Sequence, residues 1–381
     1  MSHAAGEIIG PSGEGNSAMT PRVWLLLGRK AGDNAQVLAL AETLGWPFEE
    51  KRILARSWEI VPHLLLGPTL LGIDRRASSP LAPPWPDLVI SAGRRNEPVA
   101  RWIRARSGGR ARLVHIGRPW AAPAQFDLIV TTPQYFLKPA ANVLVNPLPL
   151  HRITRAQVES AARALGPRLG HLPRPFTTVL IGGDSGPFVF TPEKGRHLAQ
   201  GVNRLLAQSG GAALVTDSPR TPAAAMAAFR AALDVPAEIY CWRERDGAGE
   251  NPYRGFLGLA ERFVVTGESM SMLAEAASLG HPLYIFDPGD PPGTWWRKRH
   301  NFRPKPLSHA LAMHLAPVRM RRDVSLIQDA LVRAGRARWL DEAPALVAQG
   351  EDWSATMSAD PLEGAHRAAA RIRALFAPAQ G

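Results

Sequence analysis

Ser269, Ser271 and Glu275 stand at the start of an apolar repeat in the segment FVVTGESMSMLAEAASLGHPLYIFD, residues 263–287, and their types and spacing describe an anion site. Phe263 to Thr266 is a short buried-type strand that ends in Gly267. Met270, Leu273, Ala274 and Ala277 then recur at helical spacing until Gly280, and Pro282 to Phe286 resumes as strand. A helix that begins just past a strand points its first N–H groups, and a dipole charge of roughly +0.5, beyond the sheet edge. Phosphate suits that place. The serine hydroxyls add donors, and Glu275, one turn after Ser271 on the same face, can accept from two adjacent sugar hydroxyls. Phosphate and ribose together mean a nucleotide. The plainer reading is that Ser269 caps the helix and Glu275 is a solvated residue.

A second glycine-rich turn strengthens the first reading. Thr177 to Ile181 reads as a strand and runs into Gly182, Gly183, Asp184, Ser185 and Gly186. Glycine lets the backbone approach a phosphate closely, and Ser185 adds a hydroxyl. Ala213 to Thr216 is a further strand, whose loop Thr216, Asp217, Ser218, Pro219, Arg220, Thr221 faces the same edge or is an ordinary turn. Together with Glu268, Ser269, Met270, Ser271 and Glu275, the residues Gly182, Gly183, Ser185, Gly186, Thr216 and Ser218 form the candidate donor-binding set.

These turns must be held by strands that end at one edge, and the whole chain alternates accordingly. Val23 to Leu27 is a strand, followed by Gly28, Arg29, Lys30, Ala31, Gly32, Asp33 and Asn34 and then by a helix with Val37, Leu38, Ala41 and Leu44 on one face. Leu88 to Ile90, Leu113 to Ile116, Leu128 to Thr131 and Val143 to Val145 read as further strands. After a Pro- and Arg-bearing stretch at 165–175 the pattern restarts. The expected fold class is therefore α/β, with a parallel sheet in each of two domains. Residues 1–20 read as a disordered leader, 21–168 as the first domain joined by a returning helix at 362–377, and 169–361 as the second.

At 381 residues and 45% hydrophobic content the chain can fill two cores. Residues 1–20 carry no export signal, and the longest apolar segment, Ile60 to Ile73, is broken by Pro62, Gly67 and Pro68. The expected location is the cytoplasm, with peripheral contact to the inner face of a membrane through the apolar Leu64 to Leu71 segment and basic residues. One cysteine, Cys241, excludes an internal disulfide. The net charge of +12 is concentrated in eight arginines between Arg94 and Arg118, with Glu97 as the only acid there, and in a second stretch from Arg297 to Lys305. Such patches suit a phosphorylated ligand, anionic lipid headgroups or nucleic acid. No nucleic-acid partner is expected, because RNP, GXXG and Cys/His-finger signatures are missing. Part of the excess reflects an arginine-rich composition typical of a GC-rich bacterial genome.

Rivals are excluded by their motifs. No G-x-x-x-x-G-K-[ST] loop and no G-x-S-x-G elbow occurs, and the turn at Gly28 is not G-x-G-x-x-G. His281, His300, His309 and His314 lack paired helical metal spacing, so no metal site is expected. In the first domain the plainer role of Asp33 is a helix cap.

IGGDSG at 181–186 with TGESMSMLAEAASLGHPLYIFD at 266–287 resembles the donor half of GT-B glycosyltransferases, such as the N-acetylglucosaminyltransferase that makes lipid II. That resemblance implies two Rossmann-like domains facing across a cleft, with a nucleotide-diphosphate sugar as donor ligand and no further cofactor: diphosphate on the Gly182–Gly186 loop and the Ser269–Ser271 helix start, and ribose on Glu275. For transfer to an acceptor on the first domain, Asp33 is the candidate base and Gly28, Arg29, Lys30, Gly32 and Arg94 are the candidate acceptor-side residues. A helix terminus there stabilises the departing diphosphate, and the absence of an Asp-x-Asp pair agrees with metal-independent transfer. A wider resemblance covers almost the whole chain. WLLLGRKAGDNAQVLALAETLGWP, FDLIVTTPQYF, IGGDSG and NPYRGFLGLAERFVVTGESMSML are similar to the family of the plant mitochondrial fission factor whose loss elongates mitochondria. It implies an alternative, non-catalytic role, since plant members are organelle-surface proteins that help recruit a dynamin-like GTPase. The sequence departs from the family pattern with Glu268 in place of aspartate and Gln134–Tyr135 in place of a His–Asp pair.

Overall fold

Two parallel six-stranded sheets make up the computed structural model, which describes residues 20–59, 67–186, 188–244, 251–289, 311–350, 352–354 and 360–378. The first sheet contains β1 (Val23–Leu27), β2 (Phe48–Arg52), β3 (Leu88–Ala92), β4 (Arg112–Ile116), β5 (Leu128–Thr131) and β6 (Val143–Val145) in the order β2-β1-β3-β4-β5-β6. The second contains β7 (Phe176–Leu180), β8 (Ala212–Thr216), β9 (Ala237–Tyr240), β10 (Arg262–Thr266), β11 (Leu283–Phe286) and β12 (Arg338–Trp339) in the order β12-β11-β10-β7-β8-β9. This is the α/β architecture read from the alternation.

Each sheet is covered on both faces, which explains its continuous apolar strands. Val23, Leu25 and Leu27 face α1 (Ala31–Leu44) and the returning α10 (Glu363–Phe376), while Trp24 and Leu26 face Val99 and Ile103 of α2 (Gly93–Arg106). Arg373 of α10 donates to the carbonyls of Thr43 and Leu44, the last turn of α1, where a cation also meets the negative end of the helix dipole. In the second sheet Val179 faces α4 (Pro192–Ser209), α5 (Ala223–Ala232) and α9 (Ala343–Gln349). Leu180 and Phe263 face the opposite layer, formed by α3 (Arg155–Leu165), α6 (Tyr253–Leu259), α7 (Met270–Ala277) and α8 (Ser325–Arg333). Val158 places α3 in this second core, although α3 precedes β7 in the chain.

Strand order creates one switch point in each sheet. The chain leaves β1 toward β2 and returns on the other side through β3; it leaves β7 toward β8 and β9 and returns through β10. At such points the connections diverge to opposite faces and open a crevice at the carboxyl ends of the strands. The Gly182–Gly186 and Gly267–Ser269 turns flank the crevice of the second sheet, and Gly28–Lys30 and Gly93 flank that of the first.

Helices α3 and α6 lie close because α6 has glycine where they touch: a Cβ on Gly258 would sit 2.2 Å from the Val158 carbonyl oxygen, and one on Gly255 would sit 2.6 Å from Leu165 Cδ2. Backbone cannot yield as a side chain can. Gly258→Ala is therefore expected to destabilise the protein by about 2–3 kcal/mol in urea unfolding; a neutral result would show that the helices do not approach this closely.

Candidate functional site

The loops after β7, β8 and β10 meet through glycine. A Cβ on Gly182 would lie 2.2 Å from Glu268 Oε1 and 2.6 Å from Ser269 Cβ, and one on Gly183 would lie 2.5 Å from the Arg220 carbonyl oxygen. Gly183 also has φ +101°, outside the range that side chains favour. The Gly182 N–H donates to Thr266 Oγ1 at 2.8 Å, and the Ser218 hydroxyl donates to the Gly182 carbonyl. Gln328 of α8 donates to the Gly267 carbonyl at 2.7 Å. Three loops are thus fixed before any ligand arrives.

Individual residues of the donor set take distinct places. Ser269 occupies the N-cap position of α7 without a side-chain capping bond, and its Oγ instead meets Arg220 Nη2 at 3.5 Å. Ser271 is exposed, Met270 is buried, and Ser185 and Gly186 are half-buried at the mouth of the loop. Thr216 and Ser218 are buried and turn toward the protein, where Ser218 supports the Gly182 turn. Arg220 Nη1 donates to the Asp184 carbonyl at 3.0 Å. This arginine reaches across the loop cluster to α7, while Arg243 donates to the Pro219 and Thr221 carbonyls of the same loop, and the position of Arg220 four residues after a strand end was its only mark in the sequence.

Two carboxyl groups here hold their protons unusually well. Burial pushes Glu268 up to about 7, against smaller downward pulls that include Arg220, the Thr266 hydroxyl and the Gly183 backbone. Its Oε1 accepts from Thr266 Oγ1 at 3.1 Å, whereas its buried Oε2 has no hydrogen-bond partner. Burial also raises Glu275 to about 7, while the bond from the Tyr253 hydroxyl and the charge of Arg254 lower it. Glu275 is therefore neither the solvated residue of the plain reading nor a free carboxylate. A folded-state pKa above the unfolded value means that each group favours folding most below about 4.5, and that this contribution is lost as the pH rises through about 7.

In the first sheet Lys30, not Asp33, holds the N-cap position of α1, and Asp33 is the third helical residue. Its carboxylate lies at the start of α2, where a Cβ on Gly93 would come within 2.6 Å of Oδ2, and Lys30 Nζ stands 3.9 Å away. The Gly28 turn is closed by Asn34, which accepts from its N–H and donates to its carbonyl, both at 2.8 Å. Arg29 and Gly32 are exposed. Arg94 pairs with Glu59 at 3.1 Å and stacks 5.1 Å over Trp120. Burial lowers the Arg94 pKa, Glu59 raises it and Arg95 lowers it further.

Much of the arginine-rich segment is engaged within the fold. Arg95 pairs with Glu59, Arg101 with Glu97, and Arg104 with Asp127, while Arg112 stacks over Phe376. Arg118 donates to the Tyr135 carbonyl at 2.6 Å. The second basic stretch, Arg297 to Lys305, and residues 64–66 of the apolar Leu64 to Leu71 segment lie outside the described residues, as do His300 and His309, while Leu71 is exposed. Among the described residues no helix is long and apolar enough to cross a membrane, and no group of three or more His, Cys, Asp and Glu is placed to hold a metal ion. Burial raises the buried Cys241 thiol to about 11, which keeps it unreactive.

The two sheets touch across the cleft at Gln134–Tyr135. Arg322 Nε donates to Gln134 Oε1 at 2.8 Å, its guanidinium lies 5.9 Å from the Tyr135 ring centroid, and the Asp323 N–H donates to the Gln134 carbonyl at 2.9 Å. Burial raises the Tyr135 pKa, Arg322 lowers it and Asp33 raises it, which puts Asp33 in electrostatic reach of the same turn.

With this geometry in hand, the family profile described as mitochondrial fission ELM1 matches residues 31–376. The chain belongs to that family. It is 27% identical over 222 residues to the mitochondrial fission protein ELM1 of Arabidopsis thaliana, a match covering 52% of this chain and 51% of the plant protein. The matched segment thus spans about half of that relative. An uncharacterized Rickettsia prowazekii protein is 24% identical over 298 residues, covering 70% of this chain and 83% of its own. Among solved structures, a Listeria monocytogenes protein assigned as a UDP-N-acetylglucosamine 2-epimerase superposes with TM-score 0.52 at 12% identity, over 93% of this chain and 96% of that one. The likeness identifies the ELM1-family fold as GT-B-like.

The Tyr253–Glu275 bond gives a direct test of this geometry. A hydrogen bond to a carboxylate favours the charged form, so Tyr253→Phe should move the Glu275 titration up by roughly one pH unit, followed by NMR of labelled carboxyl carbons. An unchanged or lower titration point would separate the two side chains.

Proposed function

We propose that the chain binds a nucleotide-diphosphate sugar on its second sheet and transfers the sugar to an acceptor held by the first. The observation that carries this reading is the convergence, at one switch point, of the Gly182–Gly186 turn and the start of α7, with Glu275 one turn further along. In the proposed complex the diphosphate lies between those turns beside Arg220, and ribose hydroxyls donate to Glu275 Oε1 while Tyr253 keeps Oε2. As the glycosidic bond breaks, negative charge grows on the diphosphate, where the helix start and Arg220 oppose it. Asp33, across the cleft, is the proposed base that takes the acceptor proton, with Arg29, Lys30 and Arg94 beside an anionic acceptor such as a lipid-linked phosphate. Contact with a membrane surface belongs to the same proposal.

The identity with a plant protein named for mitochondrial fission favours a second reading, in which the fold keeps the nucleotide-sugar as a ligand and acts by recruiting a partner. The two differ in chemistry: recruitment leaves the bound sugar intact.

A thermal-shift screen of UDP-, GDP- and ADP-sugars is expected to find at least one that raises the melting temperature. Glu275→Ala should abolish that shift, and the absence of a shift with every nucleotide-sugar would refute the reading. Asp33→Asn is expected to preserve the shift and to reduce sugar transfer or donor hydrolysis by at least roughly 100-fold. Undiminished turnover would remove Asp33 from the chemistry, and stable binding with no turnover in wild type would select recruitment.

A further inference from the structure

Glu268 is the one carboxyl placed directly beneath the proposed diphosphate cradle, and no step of the proposed transfer uses it. It is 2% exposed. Its Oε1 occupies the space that a Gly182 side chain would fill, so it lies against the backbone of the turn, directly behind the start of α7. The next residue, Ser269, begins α7. Oε2 is buried and without a hydrogen-bond partner, an arrangement that costs far more for a carboxylate than for a neutral acid.

We propose that Glu268 sets the charge of the cradle, so that the site takes the diphosphate of a nucleotide-sugar when Glu268 is protonated and releases it when the carboxylate forms. The inference rests on the reading of the site as a diphosphate cradle and adds a proton to it. In the carboxylate form a fixed, buried negative charge lies directly behind the turn and the helix start that must take phosphate, and it repels the ligand. In the acid form that repulsion is gone. The hydroxyl of Thr266 and the amide of Gln328, neither of which titrates near neutral pH, support the same turn.

The charged groups facing Glu268 fit this role. From the β8 loop Arg220 approaches Ser269 Oγ and the Asp184 carbonyl, close enough to lower the Glu268 pKa. From the β7 loop Asp184 directs Oδ1 to the Phe190 N–H at 2.9 Å. Arg220 has no carboxylate within ion-pairing distance among the described residues, and a bound diphosphate would draw it away from Glu268. Ligand and proton then bind together: the ligand raises the Glu268 pKa above about 7, and protonation raises affinity for the ligand.

The test is calorimetric titration of the full chain with the nucleotide-sugar that gives the largest thermal shift, at intervals from pH 6 to pH 8.5. Both phosphates of a nucleotide-sugar are esterified, so the ligand adds no phosphate ionisation of its own in that interval. Glu275, which faces the ribose and also titrates near 7, contributes equally to wild type and to a Glu268 variant, so the readout is the ratio of the two affinities. The affinity of wild type relative to Glu268→Gln is expected to fall by roughly 10- to 30-fold across the interval, the limit for release of one proton with a pKa near 7. Glu268→Asp, which still titrates, should retain a fall relative to Glu268→Gln. A ratio of wild type to Glu268→Gln that is flat with pH overturns the role of Glu268 while leaving the cradle in place. No binding by wild type at any pH overturns the cradle itself, and the proton switch with it.

Discussion

The approach of two backbone turns at the carboxyl edge of β7 and β10 is the constraint on which the rest of the molecule depends. Gly182 has no side chain, and Glu268 and Ser269 lie in the space that one would take. The contact brings the Gly182–Gly186 loop beside the start of α7, and the switch in strand order leaves a crevice above both. Everything else at this edge is support. Thr266 accepts from the Gly182 N–H, Ser218 donates to its carbonyl, and Gln328 holds the Gly267 carbonyl from behind. Because backbone groups are held by other backbone and buried side chains, the cradle is organised without a ligand.

The same closeness creates the electrostatic character of the site. Packing a carboxyl group under a glycine turn removes it from water, and its proton affinity rises. Glu275, seven residues further along, shows the same effect, moderated by a tyrosine hydroxyl. A conventional anion site presents only positive potential; the site proposed here carries two groups whose charge depends on pH near neutrality. The first sheet contrasts with it. There the acid, Asp33, faces the positive start of α2, and the contact across the cleft uses an amide, a phenol and the arginine Arg322.

Strong periodic signals made most of this legible in the amino-acid sequence. The buried strands β1, β3, β7 and β10 are short runs rich in apolar residues, and the turns that follow them are marked by glycine. The strands that escaped were β2 and β12, both at sheet edges. FEEKR exposes four of its five residues, and Arg338–Trp339 is only two residues long, so neither has an apolar pattern to find. The candidate site was legible as loops but not as contacts. Spacing put Thr216 and Ser218 at a strand end, yet it had no means of showing that both turn inward. Tyr253 lies 22 residues before Glu275, and Arg322 lies 188 residues after Gln134; these pairings arise only from the packing of helices across sheets.

The central claim is that the crevice between β7 and β10 binds the diphosphate of a nucleotide-sugar. A crystal structure of the protein grown at pH 6 with a saturating concentration of the nucleotide-sugar selected by thermal shift tests it most directly. The account predicts diphosphate density between the Gly182–Gly186 turn and the first N–H groups of α7, with ribose within hydrogen-bond distance of Glu275. Density at another place, with this crevice empty, would contradict it.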